Sequence, residues 1–289
     1  MLVELAIGDA FGAAFEYSPK SFIKKHNTGV YFSKHPRHNI PPGFYTDDTQ
    51  MTLAIAEQIV SEDTWKPINL AARFVEVFHR DQRTGYAGRF YKFLKSVKTG
   101  KEFLDQIKPG SDKSGAAMRV TPIGLYSDIQ EVLDKAEIQA KVTHDTPGGI
   151  ASAKAAALLV HYCRFNLGPL DEAGAWIQGE IDGAWHLPWE KKVKTKGYMA
   201  VRAAITALQR NTSLVELLKD CINFTGDVDT VATIALAAAS TSIAYERDIP
   251  DSLTLALENR KYGRNYLLKL DLELGSYFNE RYRKETVCV

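Results

Sequence analysis

Two short acidic blocks carry the residues best suited to chemistry, Thr46-Asp47-Asp48-Thr49 and Asp227-Val228-Asp229-Thr230. Each places two carboxylates and a threonine hydroxyl at the start of an apolar-periodic stretch, so each reads as the N-terminus of a helix. Helix N-termini hold open backbone N–H groups and favour negative charge, and one Asp serves commonly as an N-cap. Asp47 with Gln50 also has the spacing of a capping box. A single cap accounts for only one carboxylate per block. Oxygen-only donors of this kind suit hard divalent cations such as Mg²⁺ or Mn²⁺. Four carboxylates brought together repel one another and lose solvation, and a pair of ions would compensate them.

Other chemistries with similar spacing fit less well. Asp227-Val228-Asp229-Thr230-Val231 matches the nucleophile pattern of haloacid-dehalogenase-type phosphatases, but Cys221-Ile222-Asn223-Phe224 is a poor buried strand and little chain follows. A calcium EF-hand loop needs Gly and Glu where Ala232 and Ala238 stand. A terpene-synthase aspartate motif would need an acid at Met51. The histidines lack zinc-site spacing.

The second block opens the stretch around which the chain is organised. Val231 to Ala244 carries no charge, Gly or Pro. A helix apolar on every side must be surrounded by protein, and this one is too short to span a bilayer. Nearly every other segment has helical periodicity, and none alternates as a strand. We expect helices over 2–16, 51–59, 69–80, 88–97, 116–126 (bent at Pro122), 129–140, 149–163, 170–179, 197–209, 214–222, 252–258 and 266–282. Gly8 and Gly12, four apart, allow another helix close approach. Without repeat, linker or composition break, the 289 residues are expected to form one all-α domain.

The net charge of +1 gives no bulk attraction to nucleic acid or an anionic membrane. Cys163, Cys221 and Cys288 lack metal or redox spacing and suit a reducing compartment. Cys288, second from last, does not form a prenylation box, and the first residues lack a signal-peptide pattern. A cytoplasmic, monomeric enzyme is the expectation. His35 and His38, in a Pro-rich loop, are expected to be solvated, as is the run Lys191–Lys196. Trp176, Trp185 and Trp189 are expected in the core.

Taken in order, Gly8-Asp9-Ala10-Phe11-Gly12 with Glu16, Tyr45-Thr46-Asp47-Asp48-Thr49, Ser114-Gly115-Ala116-Ala117-Met118-Arg119, Thr143-His144 and Gly226-Asp227-Val228-Asp229-Thr230 resemble the ADP-ribosylhydrolases related to dinitrogenase reductase-activating glycohydrolase. The resemblance implies a compact all-α domain, an orthogonal helical bundle of the ADP-ribosylglycohydrolase type, and a metal-dependent hydrolase that removes ADP-ribose from a protein side chain or small acceptor. It implies that Thr46, Asp47, Asp48, Asp227, Asp229 and Thr230 bind two Mg²⁺ or Mn²⁺ ions. Glu16 matches a family acid near the metals, and Glu16, Asp48 and Asp229 are the candidate catalytic carboxylates, which sequence does not rank. Gly110, Ser111, Asp112, Ser114, Gly115 and His144 fall where the family binds diphosphate and adenosine, and Gly85, Tyr86 and Gly88 at a substrate entrance. The chain departs from the family pattern at Thr225, where Gly is usual, and at Lys113-Ser114-Gly115 in place of Gly-Asn-Gly. The alternative is a non-catalytic relative that binds ADP-ribose or serves a structural role.

Overall fold

In a computed structural model, residues 1–287 are described, and Cys288 lies outside them. The helices are α1 (Leu2–Ala13), α2 (Lys20–His26), α3 (Asp47–Val60), α4 (Pro67–Arg80), α5 (Gly88–Ser96), α6 (Gly100–Gln106) and α7 (Gly115–Met118). They continue as α8 (Ile129–Lys141), α9 (Pro147–Phe165), α10 (Ala173–Glu180), α11 (Gly197–Arg210), α12 (Leu214–Asn223), α13 (Val228–Ala239), α14 (Asp251–Ala256) and α15 (Arg264–Val287). Short 3₁₀ turns occupy Thr121–Leu125 and Leu170–Glu172, and the described residues form no strand beyond isolated bridges. The fold is all-α, as the periodicity predicts.

Every residue of α13 is buried, and α1, α9, α11 and α12 surround it. The tightest approach is to α1. A Cβ built on Gly8 would lie 2.7 Å from the Ala232 carbonyl oxygen, and one on Gly12 only 2.8 Å from the Asp229 nitrogen. Glycine is required where two backbones touch in this way, and the contact brings Asp9, on α1, beside the entrances of α3 and α13.

The structure differs from the sequence reading in four places. The central helix ends at Ala239 and not at Ala244, and Ile243 is 84% exposed. Ser240 and Thr241 donate their hydroxyls to the carbonyls of Ala237 and Ala238, at 2.9 and 2.7 Å, competing with helix continuation. The stretch expected as one bent helix over 116–126 is the short α7 followed by a 3₁₀ turn at Pro122. Helices α2 and α6 were not expected. For α6 the signal was present: Thr99 accepts from Glu102 N–H at 3.1 Å, and Glu102 reaches back to Lys98 N–H at 2.8 Å.

Trp185 and Trp189 are buried and Trp176 is partly so. Cys163 and Cys221 are buried and unpaired, and burial pushes the Cys163 thiol up to about 12. No helix among the described residues is long and apolar enough to cross a membrane.

Candidate active site

The acidic helix starts are not capped by their own aspartates. Asp9 caps α3 from α1. Its Oδ2 accepts from the N–H of Thr46 and of Thr49, each at 2.9 Å, and from the Thr49 hydroxyl at 2.6 Å. Its Oδ1 accepts the Thr46 hydroxyl at 2.7 Å. Gln50, the other half of the expected capping box, turns away and donates to the carbonyls of Val77 (2.8 Å) and Asp81. No side chain of the N-cap residue bonds into α13 either. Asp47, Asp48, Asp227 and Asp229 are therefore freed from capping, and all line one cavity of 960 Å³.

One oxygen each from Glu16, Asp227 and Asp229 lie within 4.8 Å of one another. Asp48 Oδ1 and Asp229 Oδ1 are buried without any hydrogen-bond partner. Orphaned, buried carboxylate oxygens are expensive. A divalent cation matches this donor set in hardness and charge. Thr230, also on the cavity wall, has a hydroxyl that counters the upward shift at Asp48 and Asp227. Thr46 is buried behind the wall, and its hydroxyl, having given its proton to Asp9, keeps only lone pairs to offer.

Burial, followed by the charges of neighbouring acids, raises Asp47, Asp48 and Asp229 well above the usual carboxylate range. Burial and then the charges of Asp227 and Asp9 lift Glu16 from 4.5 to about 7. Between these two values the folded protein holds more protons than the unfolded chain, so its stability falls as pH rises. We expect the metal-free melting temperature to drop across that window and Glu16→Gln to flatten the slope. A divalent cation should displace the held protons, which calorimetry in buffers of different ionisation enthalpy would register.

The other end of the cavity is lined by Gly110, Ser111, Lys113, Ser114, Gly115, Arg119, Thr143 and His144. A relay that sequence reading missed sets its polarity. The Arg119 guanidinium is fully buried without a carboxylate, over the Phe74 ring at 4.4 Å. It donates to Gln139 Oε1 (2.8 Å), to Gln139 O (3.0 Å) and to the Thr143 hydroxyl oxygen (2.9 Å). The Thr143 proton is then free for His144 Nδ1, 2.6 Å away, which leaves Nε2 as the N–H donor. Burial, then the Arg119 charge, pushes His144 down to about 3, so the imidazole is neutral. Ser114 Oγ donates to Asp227 Oδ2 at 3.2 Å, joining the two ends.

The segment Val193–Gly197 also joins them. Val193 N–H bonds to Thr225 O at 3.0 Å, and Asp227 N–H to Val193 O at 3.2 Å. Further along, Ser114 N–H bonds to Thr195 O at 3.1 Å, and Gly197 N–H to Asp112 O at 3.0 Å. The expected solvated lysine run is thus a strap anchored through its backbone, with Val193 buried and its lysines exposed.

Three further placements differ from expectation. Asp112 does not line the cavity, because its carboxylate is held outside by Lys196. Tyr86 is turned inward, donating to Gln50 Oε1 at 2.7 Å, whereas Gly85 and Gly88 do line the cavity. Gly85 has φ 102°, and a Cβ there would fall on the Asp47 carboxylate and lie 2.9 Å from Thr46 Cβ. His35 is only 3% exposed. Its Nδ1 accepts from the N–H groups of Arg37 (3.0 Å) and His38 (2.8 Å), and its Nε2–H donates to Glu16 O at 2.9 Å. His38 is exposed.

An all-α bundle whose two acidic helix entrances face a neutral-histidine pocket across one cavity defines a class, and the chain belongs to the ADP-ribosylglycohydrolase family, whose model matches residues 1–284. Among its relatives is the ADP-ribosylhydrolase ARH3 of Mus musculus, 26% identical over 267 residues, covering 72% of each chain. The ADP-ribosylarginine hydrolase Tri1 of Serratia proteamaculans is 26% identical over 56% of this chain and 45% of its own. A solved structure of an ADP-ribosylglycohydrolase-related protein complex shares the fold, with a TM-score of 0.68 over 96% of each chain at 24% identity.

Proposed function

We propose that this chain, acting as one domain, is a metal-dependent hydrolase that removes ADP-ribose from a modified arginine or serine side chain or from a small acceptor. The bond broken joins the anomeric carbon of the distal ribose to the acceptor. A water oxygen takes the acceptor's place, and the acceptor leaves with a proton. One observation carries this reading. Four uncapped aspartates from two helix starts face, across a single cavity, a wall of backbone, serine and neutral histidine suited to a diphosphate.

In this reading Thr46, Asp47, Asp48, Asp227, Asp229 and Thr230 hold two Mg²⁺ or Mn²⁺ ions. When bound, these supply the positive charge that lets the acids ionise and that fixes the ribose hydroxyls. Asp48 and Asp229, each with an unpartnered oxygen, orient the attacking water. Glu16, beside them, holds the proton that the leaving group needs. Gly110, Ser111, Ser114 and Gly115 receive the diphosphate, together with the Nε2–H of His144. Gly85 leaves room at the entrance beside Asp47, with Gly88 next to it. Tyr86 and Asp112 act at one remove, through Gln50 and Lys196.

The test is turnover of defined arginine-, serine- and O-acetyl-linked ADP-ribose with Mg²⁺ and with Mn²⁺. Exhaustive chelation should abolish hydrolysis, and either ion should restore it while raising the melting temperature. Hydrolysis that survives chelation would defeat the metal-dependent reading.

A further inference from the structure

The cavity has two electrically distinct ends. The charged groups that act on His144 are Arg119, Asp112 and Lys113. Those that act on Tyr17, which also lines the cavity, are Asp227, Glu16 and Asp229. If the diphosphate lies at the histidine end and the distal ribose at the acids, as proposed above, the group attached to that ribose lies at the acidic end, whose wall includes Tyr17.

Tyr17 is held there against its own backbone preference. Its φ is 48°, in the left-handed region that a bulky aromatic residue rarely enters. Both of its peptide groups are pinned. The N–H donates to Gly226 O at 2.8 Å, and the carbonyl accepts from Arg37 Nη2 at 2.6 Å. Glycine or asparagine would satisfy this conformation with less strain. Strain retained in the wall of a functional cavity points to the side chain. Above the ring sits the Lys192 ammonium, 5.1 Å from its centroid and within cation–π range. The stem of Lys192 lies across Gly226, where a Cβ would be 3.1 Å from Lys192 Cγ. This lysine, though exposed, is held by its stem against Gly226 with its ammonium over Tyr17. Neither Lys192 nor Arg37 has a carboxylate ion-pair partner among the described residues.

We propose that Tyr17 and Lys192 form an acceptor-side selector that disfavours ADP-ribose attached to a cationic side chain, arginine, relative to an uncharged one, serine. The inference rests on the hydrolase reading. A guanidinium acceptor beside Tyr17 would meet the like charge of the Lys192 ammonium on the ring, and Arg37, bonded to the Tyr17 carbonyl, adds to that repulsion. A neutral serine linkage feels neither effect, and the ring offers its flanking peptide an apolar wall.

The experiment compares kcat/KM for matched arginine- and serine-linked ADP-ribosyl peptides on each enzyme preparation, so that differences in folded fraction cancel. Lys192→Glu should shift the ratio towards arginine by about tenfold, and Lys192→Met by less, as expected of a screened charge near a surface. Raising salt should move the parent ratio towards that of Lys192→Met and leave the latter nearly constant, a response that lost packing alone would not give. Tyr17→Gly, which suits the backbone, should retain or raise the melting temperature while losing most of the selectivity. Turnover of both peptides with a ratio untouched by Lys192→Glu and by salt would overturn the selector and leave the hydrolase reading standing. Turnover of neither peptide by the parent enzyme would overturn both.

Discussion

Asp48→Ala and Asp229→Ala should leave the metal-free protein as stable as the parent, or more stable, and reduce turnover by orders of magnitude. An aspartate that merely caps a helix does the opposite. Its loss costs about 1 kcal/mol and leaves chemistry nearly normal wherever the variant is folded. The two outcomes separate cleanly because neither residue caps: Asp9 holds the start of α3, and no N-cap side chain bonds into α13. Each of the two instead keeps one buried oxygen without a partner inside a cluster of like charge, so removing it relieves repulsion. The same change should erase most of the stabilisation given by Mg²⁺ or Mn²⁺. The double variant should be little slower than either single one, since residues serving one site are not additive. Thermal melts with and without metal, run beside single-turnover assays, read all of these effects. The cap pattern at both positions would end the metal-centre reading.

Gly12→Ala should destabilise the protein strongly, because the added methyl falls between two buried helix backbones. The new Cβ would meet the Asp229 backbone, 2.8 Å from its nitrogen and closer still to its Cα. Backbone in the middle of a packed pair cannot step aside as a side-chain tip can. Overpacking typically costs about 1–3 kcal/mol, and here we expect the upper end or beyond. Because α1 carries Asp9 and α13 carries Asp229, parting the helices should also lower turnover in the protein that remains folded. Gly275→Ala is the control. Its Cβ would meet nothing within 4 Å, on an exposed turn of α15, and removing a helical glycine should stabilise by roughly 0.5–1 kcal/mol. Denaturant melts in which Gly12→Ala matches the parent would disprove the close contact.

What could be read from sequence was local or periodic. The charge-free stretch identified the buried helix, the glycine pair on α1 marked a close helix–helix approach, and the two acidic blocks are the ones that meet on the cavity wall. What could not be read depends on residues distant in sequence meeting in space. Asp9 reaches Thr46 and Thr49 across the bundle, and nothing in the Thr46–Gln50 block announces that its cap comes from another helix. The Arg119–Gln139–Thr143–His144 relay joins the end of α7 to α8. Arg119, Thr143 and His144 stand in blocks the sequence singles out, but Gln139 and the bonds among the four do not show there, and the neutrality of His144 follows from burial. His35 looked solvated because its loop is rich in Pro and polar residues, yet its ring nitrogens satisfy three backbone groups. The early stop of α13 was legible in Ser240-Thr241-Ser242 and was outweighed by the absence of charge.

The strap at Val193–Gly197 separates two tasks that many sites load onto the same side chains. Main-chain hydrogen bonds tie it to Asp112 and Ser114 on one side and to Thr225 and Asp227 on the other, and the Lys196–Asp112 ion pair is the one side-chain tie it adds to them. The exposed side chain of Lys194 takes no part in that anchorage. Mutation can therefore recolour the rim, basic to acidic or polar to apolar, while the geometry behind it stays put. Deleting one residue is a different matter. It would slip the register at both anchors at once, and no choice of side chain could restore it. The strap is thus tolerant in composition and intolerant in length.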